Sequence, residues 1–490
     1  LSTFFSKKIH FFFLVSYKGL AYALKIKIIF QKDIPLLRSC SFIFILISLL
    51  CACTSVTHRG QDDFDREFDA GNFKAAAETY TDLLRADQIA ANTNLAKGEK
   101  SESLSLEFFP ALNTGTASFI AGEPKKASKY FDLALSLIKW EQTDGYDPKY
   151  YEKIMLNTYS GLNAWRAKNM KDARVEFNRA HQSQARAIEE NKKKISELED
   201  EIAAKNLESS LKEAKKQLSE KPLAFKELKA YRDFANPYTS YLSGLFLALN
   251  RDSHSDIENG INYLKRVQGM MPDNSFIKED IKMAQAIAEG KPFTPTVWVL
   301  YEGGLAPAID KLTIELPLYF GKGFKFASMA LPQFAPQEMG LPSVMIKSDD
   351  KYISTELIAN MDAIVEAELN ERMPWEIAKA LLWMSVNLLA QEGVQQAFGD
   401  NHSALGFITS AIISQITNPV ETRTWASLPK HIAIARLPMP KNGTIRLYGS
   451  KESPISETIR FNKTTKYAIV YVRIPTIGAK PAVLISEFKL

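Results

Sequence analysis

Four windows between Asp62 and Gly290 repeat one arrangement of small and aromatic residues, and that arrangement dictates paired helices. "AGNFKAAAETYTDLL" sets Gly71 at a turn and then Phe73, Ala76, Tyr80 and Leu83 on one helical face. "LNTGTASFIAGEPKKASKYFDLAL" repeats it with Gly115, Gly122, Ala127, Phe131 and Ala134. "YSGLNAWRAKNMKDARVEFNRA" does so with Gly161, Ala173, Phe177 and Ala180, and a looser copy carries Gly244, Leu264, Val267 and Pro272. Apolar residues recur at helical spacing throughout, with few β-branched runs. A small residue lets two helices touch, and a large one fills the groove beside it.

These relative offsets resemble the tetratricopeptide repeat. Gly115 and Gly161 lie 46 residues apart and Gly161 and Gly244 lie 83 apart, against a family period of about 34, so the array is degenerate and interrupted. The larger interruption, "RAIEENKKKISELEDEIAAKNLESSLKEAKKQLSE", has neither Gly nor Pro. Ile188, Ile195 and Ile202 are seven apart with Leu198 between; after Asn206 the seam shifts to Leu207, Leu211, Ala214 and Leu218. Two arms with a phase break predict an antiparallel helical hairpin near 186–220 that projects from the array as a partner-contact arm. One longer solvated helix is the alternative at its outer end, and its dense Glu and Lys are a water-facing surface.

"GKPFTPT" at Gly290–Thr296 marks a boundary. Beyond it "TVWVLY", "LTIELPLYF", "HIAIARL", "GTIRLYG", "KYAIVYVRI" and "AVLISEF" alternate as half-buried strands, with Asn442-Gly443 as a turn. A helical block from "YISTEL" to "VQQAF" interrupts them, followed by the apolar stretch Ala404–Ile416, too short to span a bilayer and read as a buried helix. In "ETRTWASLPKHIAIARLPMP", Arg423 and Trp425 precede Leu428-Pro429 and a strand, a structural corner. Together with "VWVLYEGGLAPAIDKLTIELPLY", this stretch resembles an uncharacterised family of Gram-negative envelope lipoproteins with an N-terminal tetratricopeptide-like repeat region. The resemblance covers most of the chain after its leader and implies no chemistry.

The leader carries the address. "FIFILISLLCACTSV" is an apolar run about half the length of the roughly 20 residues a membrane helix needs, and it fits the core of a secretory signal. Leu50-Cys51-Ala52-Cys53 resembles a bacterial lipobox, which implies cleavage before Cys53 and acylation of that residue; the acyl chains would anchor it durably. A plain signal peptide, a buried apolar helix and a Cys51–Cys53 pair are the alternatives. By the same resemblance, Thr54 and Ser55 in place of Asp point to the outer membrane. Upstream, "HFFFLVSYKGLAYALKIKIIF" has the apolarity of a membrane helix, interrupted by Lys18. No Met precedes Met155, so residues 1–35 are read as an extension beyond a true start at an internal leucine such as Leu24 or Leu36.

Residues 1–52 hold seven basic side chains against Asp33 alone; the formal net charge of +5 therefore falls to −1 once the leader is removed. That removes the electrostatic case for a nucleic-acid partner. All three cysteines, Cys40, Cys51 and Cys53, lie in or beside the leader, so the body forms no disulfide, and C-x-C lacks the further ligands of a metal site. The six histidines have no metal-ligand spacing, and no phosphate-cradling or nucleophile-elbow pattern occurs. His402, beside Asp400, is the best lone acid/base candidate, and a capping loop is its commoner explanation. Glu302 and Asp310 flank a Gly-Gly turn with nothing to bring them together.

The sequence therefore predicts a multidomain chain: leader 1–52, tether 53–61, an all-α tetratricopeptide-like repeat array over 62–290 with the hairpin insertion, and an α+β domain over 291–490. Function is expected to be that of a lipid-anchored, periplasm-facing scaffold or adaptor for envelope proteins in cell-envelope or peptidoglycan assembly, with an envelope hydrolase sited in the C-terminal domain as the alternative. Cys53 is the one expected site residue, for lipid attachment; no catalytic residue, metal or cofactor is expected, and the partners are the membrane and envelope proteins.

Overall fold

The computed structural model describes residues 11–17, 20–26, 61–80, 108–141, 143, 146–220, 234–320, 323–398, 418 and 420–489. Strands β1 (Phe11–Tyr17) and β2 (Leu20–Ile26) pair antiparallel, Phe11 opposite Ile26 and Tyr17 opposite Leu20. Within the segment that has the apolarity of a membrane helix, residues 11–17 and 20–26 are thus paired strands, in keeping with their aromatic and β-branched content. Among the described residues no helix is long and apolar enough to cross a membrane.

The helical part begins with α1 (61–69) and α2 (Phe73–Thr79), joined through Gly71 at φ +81°. It continues with α3 (Phe108–Ile120), α4 (Pro124–Lys139), α5 (Tyr150–Arg166), α6 (Met170–Ala204), α7 (Glu208–Glu220), α8 (Pro237–Leu249), α9 (His254–Met270) and α10 (Ser275–Ala288). Local chemistry starts these helices. Pro124 and Pro237 sit in first turns, where a missing N–H costs nothing, and the side chains of Asn169, Asn236 and Asn274 accept from backbone N–H groups of the first turn.

The small-and-large pairing seen in the sequence is the helix contact itself. A Cβ on Gly115 would lie 2.6 Å from the Phe131 ring, one on Gly161 2.9 Å from Phe177, and one on Gly244 2.9 Å from Leu264. These contacts join α3 to α4, α5 to α6 and α8 to α9.

Helix α6 ends at Ala204; the next turn holds Asn206 in the left-handed region at φ 54°, and α7 folds back, with Lys215 reaching Glu199 at 3.2 Å. The sequence placed the phase break at this asparagine, a residue that tolerates the left-handed conformation.

After residue 290 come β3 (Thr296–Gly303), β4 (Ala308–Phe320), β5 (Gly323–Ala335), β6 (Met345–Ser348), β7 (Lys351–Ser354) and β8 (Glu356–Asn360). The long helix α11 (Met361–Phe398) precedes β9 (His431–Pro438), β10 (Thr444–Ser450), β11 (Ser453–Pro454), β12 (Ile459–Arg460), β13 (Tyr467–Ile474) and β14 (Ala482–Phe488). The main sheet has the order β14-β13-β3-β9-β8, antiparallel except for the parallel pair β13–β3. A smaller sheet runs β11-β10-β6-β7, with β12 also on β10, and β4–β5 stands as a separate two-stranded ribbon.

Registers fix which face meets what. Tyr467, Tyr471 and Arg473 align with Thr296, Leu300 and Glu302 across β13–β3, and alternation puts them on one face with Trp298. That face meets α5, α8 and α10. Trp165 Nε1 donates to the Tyr467 hydroxyl at 3.2 Å, Tyr159 donates to Glu302 at 2.7 Å, and Trp298 Nε1 donates to Asp280 at 3.0 Å. The opposite face, with Val297, Val299, Val470 and Val472, joins the same core as Ile346, Ile445 and Leu447 of the smaller sheet.

The change at Gly290 is therefore one of secondary structure, while one hydrophobic core runs across it from Phe64 to Phe488. A second core gathers Ile202, Leu207, Ala214 and Leu218 of the helical hairpin, Ile314, Met329 and Leu331 of the β4–β5 ribbon, and Ile377, Leu381 and Met384 of α11. The hairpin expected to project freely is packed. A two-stranded ribbon is not stable alone in water, and α7 and α11 cover its apolar face.

Candidate functional site

The inner side of the helix array is the surface on which a repeat scaffold would hold a peptide, and here the chain's own sheet fills it. Glu302, with no exposure, ends β3 beneath α5 and accepts from the hydroxyls of Tyr159 and Tyr471, both at 2.7 Å. Burial pushes its carboxyl up, opposed first by the positive charge of Arg473 and then by these hydroxyls. Arg473 is itself fully buried and donates to the carbonyls of Gly304 (2.7 Å), Glu302 (3.3 Å) and Ser427 (3.3 Å). It holds the turn after β3 against the loop before β9, a structural arrangement in which Glu302 Oε1 and Arg473 Nε are buried without a hydrogen-bond partner.

A second polar cluster joins the body to the hairpin, ribbon and long helix. Glu368 on α11 accepts from the backbone N–H groups of Tyr150 and Tyr151, each at 2.7 Å, so its carboxylate caps α5 from another element. Arg372, one turn on, lies 3.1 Å from Asp147 and 3.6 Å from both Glu368 and Glu376, while Lys194 of α6 reaches Asp147 at 2.8 Å. Burial raises the carboxyl of Asp147, but Arg372 and Lys194 outweigh it and hold the pKa down to about 2. Glu152, nearly unexposed, accepts from Tyr146 Oη at 2.6 Å and from the Lys149 backbone at 2.9 Å; burial pushes it up to about 7 against the pull of Lys149. Lys149 is pushed down by burial and then by Arg372. The adjoining cavity, bounded by Tyr151, Val365 and Arg372, has a volume of about 20 Å³. That holds about one water and no organic substrate.

An open concavity lies at the far end of the array. Helix α10, the segment 292–294 and β9 enclose a groove of about 300 Å³ with Met283, Ile287, Pro292 and Phe293 on its walls. At its base the Arg436 guanidinium lies 2.8 Å from Glu279 and 2.9 Å from Asp280. Asp280, wholly buried, also accepts from Tyr241 at 2.8 Å and Trp298 at 3.0 Å; burial raises it to about 6, opposed by Arg436. Exposed Lys282 stands on the rim. Apolar walls, a paired cation at the base and a lysine at the mouth suit side chains of a peptide segment, at the small end of binding-site volumes.

Cys53, Cys40 and Cys51, His402 with Asp400, and Ala404–Ile416 all lie outside the described residues. Among the described residues no group of three or more His, Cys, Asp or Glu side chains is placed to hold a metal. Glu302 and Asp310 are kept apart, the first buried in the core and the second exposed on the ribbon. The Arg423–Trp425 corner forms as read. Arg423 pairs with Glu421 at 2.5 Å and lies over the Tyr146 ring at 5.3 Å, and Trp425 is buried with Nε1 donating to Ser427 at 2.9 Å. The groove residues were not singled out by the sequence. Met283 and Ile287 are one turn apart, a signal indistinguishable there from an ordinary core stripe.

The described chain is thus a set of helix pairs followed by a sheet-bearing α+β region. No known family and no curated protein matches it. Among solved structures, the crystal structure of MamA protein aligns with 48% of this chain and 82% of its own, at 14% identity and a TM-score of 0.27. A likeness that slight carries no argument.

Proposed function

We propose that this chain is a lipid-anchored adaptor of the Gram-negative envelope, held to the outer membrane by acylated Cys53 and facing the periplasm, where it binds envelope proteins. The reading of the anchor rests on the lipobox-like Leu50-Cys51-Ala52-Cys53 and on the resemblance to envelope lipoproteins with a tetratricopeptide-like region. The observation that carries the binding role is the groove at the end of the helix array. Among the described residues no further helix pair stacks on α10, and Met283, Ile287 and Phe293 line an open groove. The inner face, with Tyr159, Trp165 and Tyr241, is closed by the sheet and takes no partner. Envelope assembly, including peptidoglycan synthesis, is the process such an adaptor would serve.

A photo-crosslinking residue at Met283 of the full chain, expressed in a Gram-negative envelope, is expected to capture an envelope protein. The same residue at exposed Val175 of α6 should not, and Ile287→Glu should abolish the adduct. Absence of any adduct at Met283, with the protein folded and in place, would overturn the assignment of the groove. Incorporation of a fatty-acid analogue should be lost in Cys53→Ser; labelling that persists removes the anchor.

A further inference from the structure

A sheet edge exposes unpaired backbone groups, and proteins protect such edges with charges, proline, brevity or a covering group. From residue 61 onward the strand edges differ in this respect. At β8, Asn274 Nδ2 donates to the carbonyls of Glu356 (3.3 Å) and Leu357 (2.9 Å), and the Glu356 carboxylate takes the N–H and hydroxyl of Ser275. At β5, the side-chain amide of Asn418 accepts from Ala330 N and donates to Ala330 O, both at 2.7 Å, as a neighbouring strand would. The β4 sequence carries Asp310, Lys311, Glu315 and Pro317, and β7 has four residues beginning with Lys351.

Among the described residues, strand β14, "AVLISEF", has none of these devices beyond a single charge. It is the outer strand of the main sheet, and it contains no Lys, Arg or Pro. Its central Ile485 is 44% exposed. Its one charge, Glu487, is already held by the N–H and side chain of Asn462, at 2.8 and 2.9 Å, and by the Thr465 hydroxyl.

We infer that β14 is a self-association edge, on which a second copy of this chain pairs antiparallel about a two-fold axis at Ile485. The occupant follows from the strand's own charge pattern. Seven residues centred on Ile485 place Ala482 opposite Phe488, Val483 opposite Glu487, and Leu484 opposite Ser486 of the second copy. No like charges meet, and the exposed isoleucine packs against itself. Two five-stranded sheets become one of ten strands. This inference stands apart from the adaptor reading and survives its failure.

Sedimentation of the full chain in detergent across the micromolar range tests it. The wild-type chain should dimerise. Ile485→Lys and Ile485→Glu should each weaken the dimer about tenfold or more, since the substituted charge meets its own copy, and an equal mixture of the two should restore it. A wild-type chain that stays monomeric overturns the inference, as do dimers indifferent to both variants or a folded mixture that stays monomeric. If either variant fails to fold, Ile485→Cys in a chain with Cys40, Cys51 and Cys53 changed to Ser decides. Opposed residues in an antiparallel pair lie within disulfide reach, so oxidation should yield a covalent dimer that Val175→Cys does not give. A failure of Ile485→Cys to crosslink overturns it equally.

Discussion

The two cores of this molecule are held by different chemistry. The larger one is aromatic: Trp165, Tyr159, Trp298, Tyr467 and Tyr471 interlock between helices and sheet, and its buried acid Glu302 is surrounded by hydroxyls and an arginine. The smaller one, formed by the α6–α7 hairpin, the β4–β5 ribbon and α11, is aliphatic and gathers three segments separated along the chain. It is joined to the body through charges, with Glu368, Arg372, Asp147 and Lys194 at the seam. An aromatic interface makes its two sides fold as one, whereas a charged seam can open locally while each side keeps its own core.

The most severe break should come from Trp165→Ala. This side chain is fully buried and touches Phe177, Phe246, Tyr467 and Phe488, and its loss should cost about 3–5 kcal/mol. Denaturant unfolding should show the helices and main sheet losing stability together; a main sheet retaining wild-type hydrogen-exchange protection would mean that the interface does not couple them.

Glu368→Ala should cost about 3 kcal/mol, because it strips two N–H groups of α5 of their acceptor and leaves Arg372 short of a buried counter-charge. Hydrogen exchange should speed up in α11 and the ribbon while β3 and β13 stay protected. Uniform acceleration in both regions would erase the distinction between the cores.

The smallest effect is set by pH. Glu152 has its folded pKa raised from 4.5 to about 7, so the neutral acid is the form the fold prefers. That contribution is complete below the unfolded pKa and is lost as pH rises through about 7. Asp147 behaves oppositely: held down to about 2, it contributes above its unfolded value near 3.8 and stops contributing as pH falls towards 2. Glu152→Gln should therefore be nearly neutral at pH 4 and stabilise the chain by about 1–3 kcal/mol at pH 8. Denaturation midpoints at the two values provide the measurement, and an equal shift at both would mean that charge at Glu152 is not the cause.

Much of the local structure was legible because its signals are local. Gly115 with Phe131 and Gly161 with Phe177 were readable as helix contacts from offset alone, Asn206 as a phase break, and "KYAIVYVRI" as a strand from alternation. What escaped depends on distant partners. Tyr159 and Glu302 meet across 143 residues and Tyr471 and Glu302 across 169, and no periodicity in either segment announces that the sheet will fill the helix array. The same limit misplaced the hairpin. Ile202, Leu207 and Leu218 read as a self-contained seam, while their cover, Ile314 and Leu381, lies in segments with no pattern in common. The groove was hidden more simply, since Met283 and Ile287 look like core in sequence, whereas among the described residues they line an open groove.

The parallel pairing of β3 with β13 also sets a timetable for the chain. The central strand emerges at residue 296, but its two neighbours are 431–438 and 467–474. Until those residues have left the ribosome, Trp165, Tyr159 and Tyr241 have no sheet to rest on. Long-range pairing of this kind slows folding. The helices therefore wait, half-dressed, for the last strands to arrive, and a chain cut short before Tyr467 is left with their aromatic faces bare to proteases and chaperones.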